Sequence, residues 1–237
     1  MKRVGRASST RAFVRRRVRS PSSEWSLLRR TLPPPRDMAM TPFSRILGDL
    51  LPRMPGAYAA ALVDVEGETV DYAGNVDPFD IKVAAAHWRI ILEQIGALHL
   101  GRPMWFTVRG TKRSIELRAL PDGYALVVLI AKRAGVAGAT RALSACEHAL
   151  AAEAGWPLRA TAAWSAVTVD CDESGRPARI MYGGLSEPVE VIGAIRSGLG
   201  LGRRERGFRI RLASGPEITL VREPGGFWYA EERLGGD

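Results

Sequence analysis

The chain has 237 residues, 46% hydrophobic and 25% charged, which is enough for one large domain or two small ones with a buried core. Its net charge of +9 resides in the first 37 residues, which hold 11 of the 34 basic residues and 2 of the 25 acidic ones. Residues 38–237 are therefore neutral overall, which argues against a domain built to bind a nucleic acid backbone.

Cysteine usage and hydropathy indicate the compartment. Cys146 and Cys171 are too few for a disulfide framework, so we expect reduced thiols. No apolar run approaches the roughly 18 residues of a membrane span, and no apolar segment follows the basic start as in a signal peptide. We expect a cytoplasmic protein with no membrane span.

Residues 1–40 are predicted to form a disordered basic tail, because they offer few residues for a core. We expect no nucleic acid partner except through this tail, which could also touch anionic lipid or an acidic protein. An alternative is that translation starts at Met38 or Met40. In either case Thr41 and Pro42 are typical of an N-cap and a first helical residue.

Residues 41–98 predict a helix, a hairpin and a second helix. The first helix is followed by a turn at Pro55-Gly56, a strand over 57–65, a Glu66-Gly67 turn and a strand over 68–73. The second helix, over 80–98, carries apolar residues at helical spacing, namely Ile81, Ala84, Ala85, Trp88, Leu92 and Ile95.

Three further strands, over 104–108, 114–120 and 124–131, and a helix over 136–154 that stops at Gly155 complete an α-β-β-α-β-β-β-α order. The predicted fold class is α+β, with a five-stranded antiparallel sheet and packed helices over residues 41–155.

This order resembles the roadblock / dynein-light-chain family, whose fold is profilin-like. The resemblance is carried by the Pro55-Gly56-Ala57 turn before Ala61-Leu62-Val63-Asp64, the Glu66-Gly67 turn and the helix after Asp77, and it covers residues 41–154. Within the family, the chain most resembles bacterial regulators of Ras-like GTPases of the gliding-motility type. It continues about eighty residues beyond the usual single-domain length.

The resemblance implies a homodimer in which the second helices lie side by side and the 104–108 strands pair. The implied interface residues are Ile81, Ala84, Ala85, Trp88, Ile91, Leu92, Ile95, Trp105 and Thr107. From the sequence alone, Trp88 could equally belong to the chain's own core, and a heterodimer stays open.

The C-terminal segment, 156–237, is predicted to be a small α+β module of unknown family that extends the sheet or stands beside it. Strands are expected over 158–169 and 178–182, a short helix over 188–199, and a meander of strands over 208–212, 217–222 and 227–230. Its Arg203-Arg204-Glu205-Arg206 run is a basic patch broken by a glutamate.

No pattern of catalytic, cofactor-binding or metal-ligating residues stands out. His87, His99 and His148 are scattered, Cys146 and His148 do not converge on a helix, and the glycines at 198–202 lack the Lys-Ser/Thr of a phosphate-binding loop. Arg89 and Arg109 are interpreted as solvated positions rather than as an arginine finger.

The favoured function is a non-enzymatic dimeric adaptor that binds a small Ras-like GTPase and modulates its nucleotide cycle or localisation. The alternative is a small-molecule or signal sensor of profilin- or GAF-like type, which needs a polar cavity between sheet and helix. Ala60, Leu62, Val127 and Leu129 instead predict a densely apolar interior there.

Overall fold

The computed structural model describes residues 40–97, 103–132, 134, 139–157, 163–195 and 201–232. Most of the predicted tail over 1–40 lies outside the described residues, which begin at residue 40. Also outside them are the end of the long helix at residue 98, the predicted start of the third helix at 136–138, residues 158–162 and glycines 198 and 200.

The first helix, α1 (Pro42–Arg53), begins as predicted. Thr41 is its N-cap and accepts a hydrogen bond from the Ser44 N–H at 3.0 Å, and Pro42 is the first helical residue. The turn into the sheet uses Gly56 at φ +83°, where a Cβ would clash with the Cβ of Ala134. Glycine is therefore required there by both backbone and packing.

The predicted five-stranded antiparallel sheet is confirmed. Its spatial order is β2-β1-β5-β4-β3, so β5 lies at the centre and β3 and β2 form the two edges. The strands are β1 (Ala57–Val63), β2 (Thr69–Gly74), β3 (Trp105–Arg109), β4 (Arg113–Ala119) and β5 (Ala125–Ala131).

Two further helices pack on opposite faces of this sheet. Helix α2 (Pro78–Gly96) is capped by Asp77, whose Oδ1 accepts from the Phe79 N–H at 2.9 Å. Helix α3 (Thr140–Ala154) ends at Gly155, which adopts φ +70° as the predicted C-terminal stop.

The sheet has two buried faces because successive residues of a strand point to opposite sides. One face packs beneath α2 and includes Ala61, Val127 and Leu129. The other packs against α1 and α3 and includes Leu62 and Val128. Burial on both faces explains why the central strand β5 is a nearly continuous apolar run.

The C-terminal segment forms a closed barrel of six antiparallel strands, in the order β10-β11-β6-β7-β8-β9. Each strand pairs with its sequence neighbour, and β11 closes onto β6. The strands are β6 (Ala163–Cys171), β7 (Pro177–Tyr182), β8 (Leu185–Ile195), β9 (Arg206–Leu212), β10 (Glu217–Arg222) and β11 (Trp228–Glu232).

The helix predicted over 188–199 is wrong, because its described part belongs to β8. Val189 and Val191 pack towards the barrel core at a spacing of two, whereas Glu190 between them is exposed. Ile192 follows the same alternation and is therefore exposed on the surface although it is apolar. In its described residues the module is thus all strand rather than α+β.

The barrel does not extend the five-stranded sheet but packs on α1 and α3. Trp164, Val221 and Tyr229 join the same hydrophobic cluster as Leu47 of α1 and Leu143 of α3.

Charge pairs reinforce the same contact. Arg141 of α3 donates to Glu205 at 2.9 Å and to Glu223 at 3.5 Å, and it lies over the ring of Trp164. Burial raises the pKa of Glu223 despite the nearby Arg141 guanidinium.

Candidate protein-interaction surface

The outward side of α2 carries three large apolar side chains among its polar ones, which is unusual for a helix that faces solvent. Phe79 is 73% exposed, Ile90 51% and Val83 46%, while Ile81, Ala85 and Leu92 turn into the sheet. A surface helix ordinarily keeps one apolar stripe for the core and a polar opposite face. Helix α2 therefore presents a second apolar stripe that no described residue covers.

Strand β3 lies beside α2 and forms an open edge of the sheet. It pairs with β4 on one side, and no described residue pairs with its other side. Its Val108 and the α2 residues Val83, Trp88 and Ile91 line a groove of about 540 Å³, rimmed by Lys112. We call the outward side of α2, this groove and the edge of β3 the α2–β3 face.

The interface residues predicted on α2 divide into two groups. Ile81 and Ala85 are fully buried and Leu92 nearly so, all beneath the chain's own sheet, so they support α2 rather than face outwards. Ala84, Trp88, Ile91 and Ile95 are half-buried, and the Trp88 ring packs 6.2 Å from that of Phe106. Trp88 is thus part of the core and part of the α2–β3 face. The sequence pattern missed exposed Phe79, Val83 and Ile90, which fall between the core positions.

Trp105 and Thr107 lie on the sheet face opposite α2. Their partners on β4 are Arg118 and Glu116, whereas Phe106 and Val108 oppose Leu117 and Ile115. The β3 side chains that share the α2 side are therefore Phe106 and Val108. Strand alternation could have shown this, but only once the strand's facing was known. Trp105 and Thr107 can contribute to an edge contact only from the other face.

A buried polar network lies on the sheet face opposite α2, between β3, β4 and α3. Glu116 is fully buried, its Oε1 accepts from Arg118 Nε at 3.0 Å, and Thr107 donates to its other oxygen. Arg118 also reaches Glu147 of α3 at 3.4 Å and lies under the ring of Trp105. The network ties the edge of the sheet to α3.

Arg89 is not a solvated helix position, contrary to the sequence interpretation. It is 7% exposed, and its Nε donates to the Gly123 carbonyl at 3.0 Å, which anchors α2 to the turn over Pro121–Gly123. Arg109 is exposed at the end of β3, as expected.

The sheet positions at which a sensor would need an internal cavity are filled by tightly packed apolar side chains. Ala60, Leu62, Val127 and Leu129 are at most 1% exposed and lie within the two cores. A different cleft of about 430 Å³ opens between α1, α3 and the barrel, where Asp49, His148 and Ser165 contribute polar groups.

Metal-ligand groups, the buried thiol and the helix lengths were compared with what metal binding and membrane crossing require, in the described part of the chain. No group of three His, Cys, Asp or Glu side chains there could hold a metal ion. Burial raises the pKa of the Cys146 thiol far above its ordinary value, which keeps the thiol protonated. None of the helices in the described ranges is both long and apolar enough to cross a membrane.

Solved structures with a related arrangement of helices and strands exist. A roadblock/LC7 domain from Streptomyces avermitilis is 17% identical, with a TM-score of 0.43 over 47% of this chain and 97% of that one. The chain is similar to roadblock proteins. Myxococcus xanthus MglB is 18% identical, with a TM-score of 0.43 over 49% of this chain and 98% of that one.

The gliding protein MglB from Thermus thermophilus is 17% identical, with a TM-score of 0.42 over 48% of this chain and 89% of that one. At this level the similarities concern the fold of about half the chain and carry no inference about partners. No protein-family model matches the sequence, and no curated protein does.

Proposed function

We propose that two copies of the chain pair through the α2–β3 face and that the pair is a non-enzymatic cytoplasmic adaptor for a small Ras-like GTPase. The adaptor modulates the nucleotide cycle or the localisation of that GTPase. The GTPase as partner rests on the family resemblance over residues 41–154. The pairing rests on the surface itself.

The observation that carries the pairing is the coincidence of two uncovered features on the α2–β3 face. The apolar stripe of Phe79, Val83 and Ile90 lies on the helix beside the open edge of β3. Burying apolar surface stabilises a complex by about 25 cal/mol per Å². Adding a strand at the edge satisfies backbone groups that otherwise favour aggregation. In a two-fold dimer each copy presents the same surface to the other. A second copy therefore provides both an apolar stripe to cover that of α2 and an edge strand to pair with β3.

In this proposal the adaptor supplies no catalytic group of its own. It acts by docking beside the switch region of the GTPase and favouring one arrangement of the GTPase's own residues. Arg89 is unsuited to reach into a partner, because its guanidinium is buried and bonded to Gly123.

Pairing is tested by light scattering on the full chain with Val83→Glu beside Lys82→Glu. Both residues are exposed on α2, but only Val83 lines the groove. We expect a dimer for the unmodified chain and for Lys82→Glu, and a folded monomer for Val83→Glu. Val83 is a cleaner probe than Trp88, whose ring also packs on Phe106. A monomeric unmodified chain, or equal behaviour of the two variants, would contradict the pairing.

The GTPase partner is tested separately by co-purification with small Ras-like GTPases loaded with GDP or a GTP analogue. We expect the dimer to retain one nucleotide state more strongly than the other. A dimer that retains neither state of any such GTPase would leave the pairing in place and refute the adaptor function.

A further inference from the structure

The basic run Arg203-Arg204-Glu205-Arg206 is not neutralised by its glutamate. Glu205 turns away from its neighbours, and its Oε2 accepts from Arg141 Nη1 at 2.9 Å and from the Gly202 N–H at 2.8 Å. Only about a tenth of its side chain is exposed. The Glu205 carboxylate is thus bound to α3 and to its own loop. It does not neutralise the arginines on either side of it in the sequence.

Two arginines of this run line a hollow at one end of the barrel. The hollow measures about 540 Å³, and Arg176 from the β6–β7 turn, Arg203 and Arg206 line it. Its remaining wall includes Ile195, Leu201 and Glu205, whose carboxylate is bound to Arg141. Residues about thirty positions apart are therefore brought together around one space that has a cationic rim and an apolar side.

The three lining arginines have no ion pair among the described residues, unlike two arginines of β9. On β9, Arg209 lies 3.1 Å from Glu217, and Arg211 lies 2.8 Å from Glu217 and 3.2 Å from Glu190. Arg176, Arg203 and Arg206 have no such carboxylate in the described ranges. In the same turn, Asp172 Oδ1 accepts from the N–H groups of Ser174 and Arg176, and these hydrogen bonds, together with the Arg176 charge, lower the pKa of Asp172.

We propose that this hollow binds a small phosphorylated molecule of nucleotide size, with its phosphate groups against Arg176, Arg203 and Arg206. Guanidinium groups bind phosphate oxygens in a bidentate manner, and a concave site concentrates their field. A volume of about 540 Å³ is within the range of small-molecule pockets. Ile195 and Leu201 offer an apolar surface for the non-phosphate part of the ligand. The site is on the barrel and does not depend on pairing through the α2–β3 face.

The test measures binding of ADP and of pyrophosphate to the full chain by isothermal titration calorimetry. The double variant Arg203→Gln/Arg206→Gln removes two of the three charges. Arg204→Gln and Arg179→Gln are matched controls, since both residues are exposed and neither lines the hollow. The basic residues of the N-terminal segment are the same in every variant, so differences between variants report the barrel.

We expect the double variant to bind ADP at least about tenfold more weakly than the unmodified chain, with both controls within about twofold. ADP should bind more tightly than pyrophosphate, because only ADP can use the apolar wall. The proposal is overturned if neither compound binds, or if Arg179→Gln weakens binding as much as the double variant does. It is also overturned if only a single-stranded oligonucleotide or anionic vesicles bind in an arginine-dependent way.

Discussion

At the scale of single residues, the side chain with most influence on the sheet edge is Glu116. It is fully buried on β4 and receives hydrogen bonds from Arg118 and from Thr107 of the edge strand β3. A buried carboxylate is tolerated only when it is paired and hydrogen-bonded. The network therefore fixes β3 to β4, while no described residue pairs with the other edge of β3.

Replacing Glu116 with alanine is expected to lower the free energy of unfolding by about 3 kcal/mol, because Arg118 and Thr107 would lose their shared acceptor. Glu93→Ala is the control. Glu93 is 73% exposed and lies 4.0 Å from Arg89, so its loss should cost under about 0.5 kcal/mol. Urea unfolding followed by circular dichroism measures both. Equal costs for the two variants would show that the buried network contributes nothing.

At the scale of elements, β8 is a strand whose apolar residues have a spacing typical of a helix. Val189, Val191, Ile192 and Ile195 have spacings that suit a helical stripe. In the structure, Val189 and Val191 point to the barrel core, whereas Ile192 occupies the next, exposed position of the alternation. An apolar residue at one exposed position of a regular strand therefore gives the sequence an apparent helical period.

Two aspartate substitutions distinguish the strand from a helix. Val191→Asp should destabilise the protein by about 2 kcal/mol, because it introduces a charge against the barrel core. Ile192→Asp should change stability by under about 0.5 kcal/mol, because Ile192 is 43% exposed. Thermal unfolding checks both. A helix would place both residues near one apolar side, so comparable losses would favour the helix.

At the scale of the whole molecule, the sheet and the barrel share a hydrophobic cluster. Tyr229 of β11 is fully buried and packs in the cluster that holds Leu47 and Leu143. Arg53 of α1 lies over the rings of Phe227 and Tyr229, and Arg141 of α3 binds Glu205 and Glu223 from the barrel side. Apolar burial and charge pairing therefore act at the same contact.

We expect Tyr229→Ala to lower the free energy of unfolding by about 4 kcal/mol and to loosen both parts of the molecule together. Hydrogen exchange measured on β5 and on β10 should show similar losses of protection. Leu185→Ala, at a residue 63% exposed on β8, is the control and should leave both unchanged. Loss of protection in β10 alone would mean that the barrel unfolds independently.

Much of the fold could be predicted from local signals. Thr41-Pro42, Asp77, Gly56 and Gly155 mark helix ends and turns through their own backbone and capping chemistry, and the structure confirms each. The candidate surface was only partly predictable. Periodicity placed Ile81, Ala85 and Leu92 on one apolar stripe that was assigned to the interface, but in the structure they lie beneath the sheet, and exposed Phe79, Val83 and Ile90 lie outside that stripe. Likewise, strand alternation alone could not tell which side of β3 faces α2.

The sequence by itself determined the order of the first eight elements, the neutral charge of residues 38–237 and the apolar interior, because each depends on residues close together in the chain. Tertiary structure decided the rest. It closed residues 163–232 into a barrel, turned Glu205 towards Arg141, and placed Arg176 beside Arg203 and Arg206. The reason is physical: which charges are cancelled and which surfaces stay uncovered depends on contacts between residues far apart in sequence, and no local pattern records them.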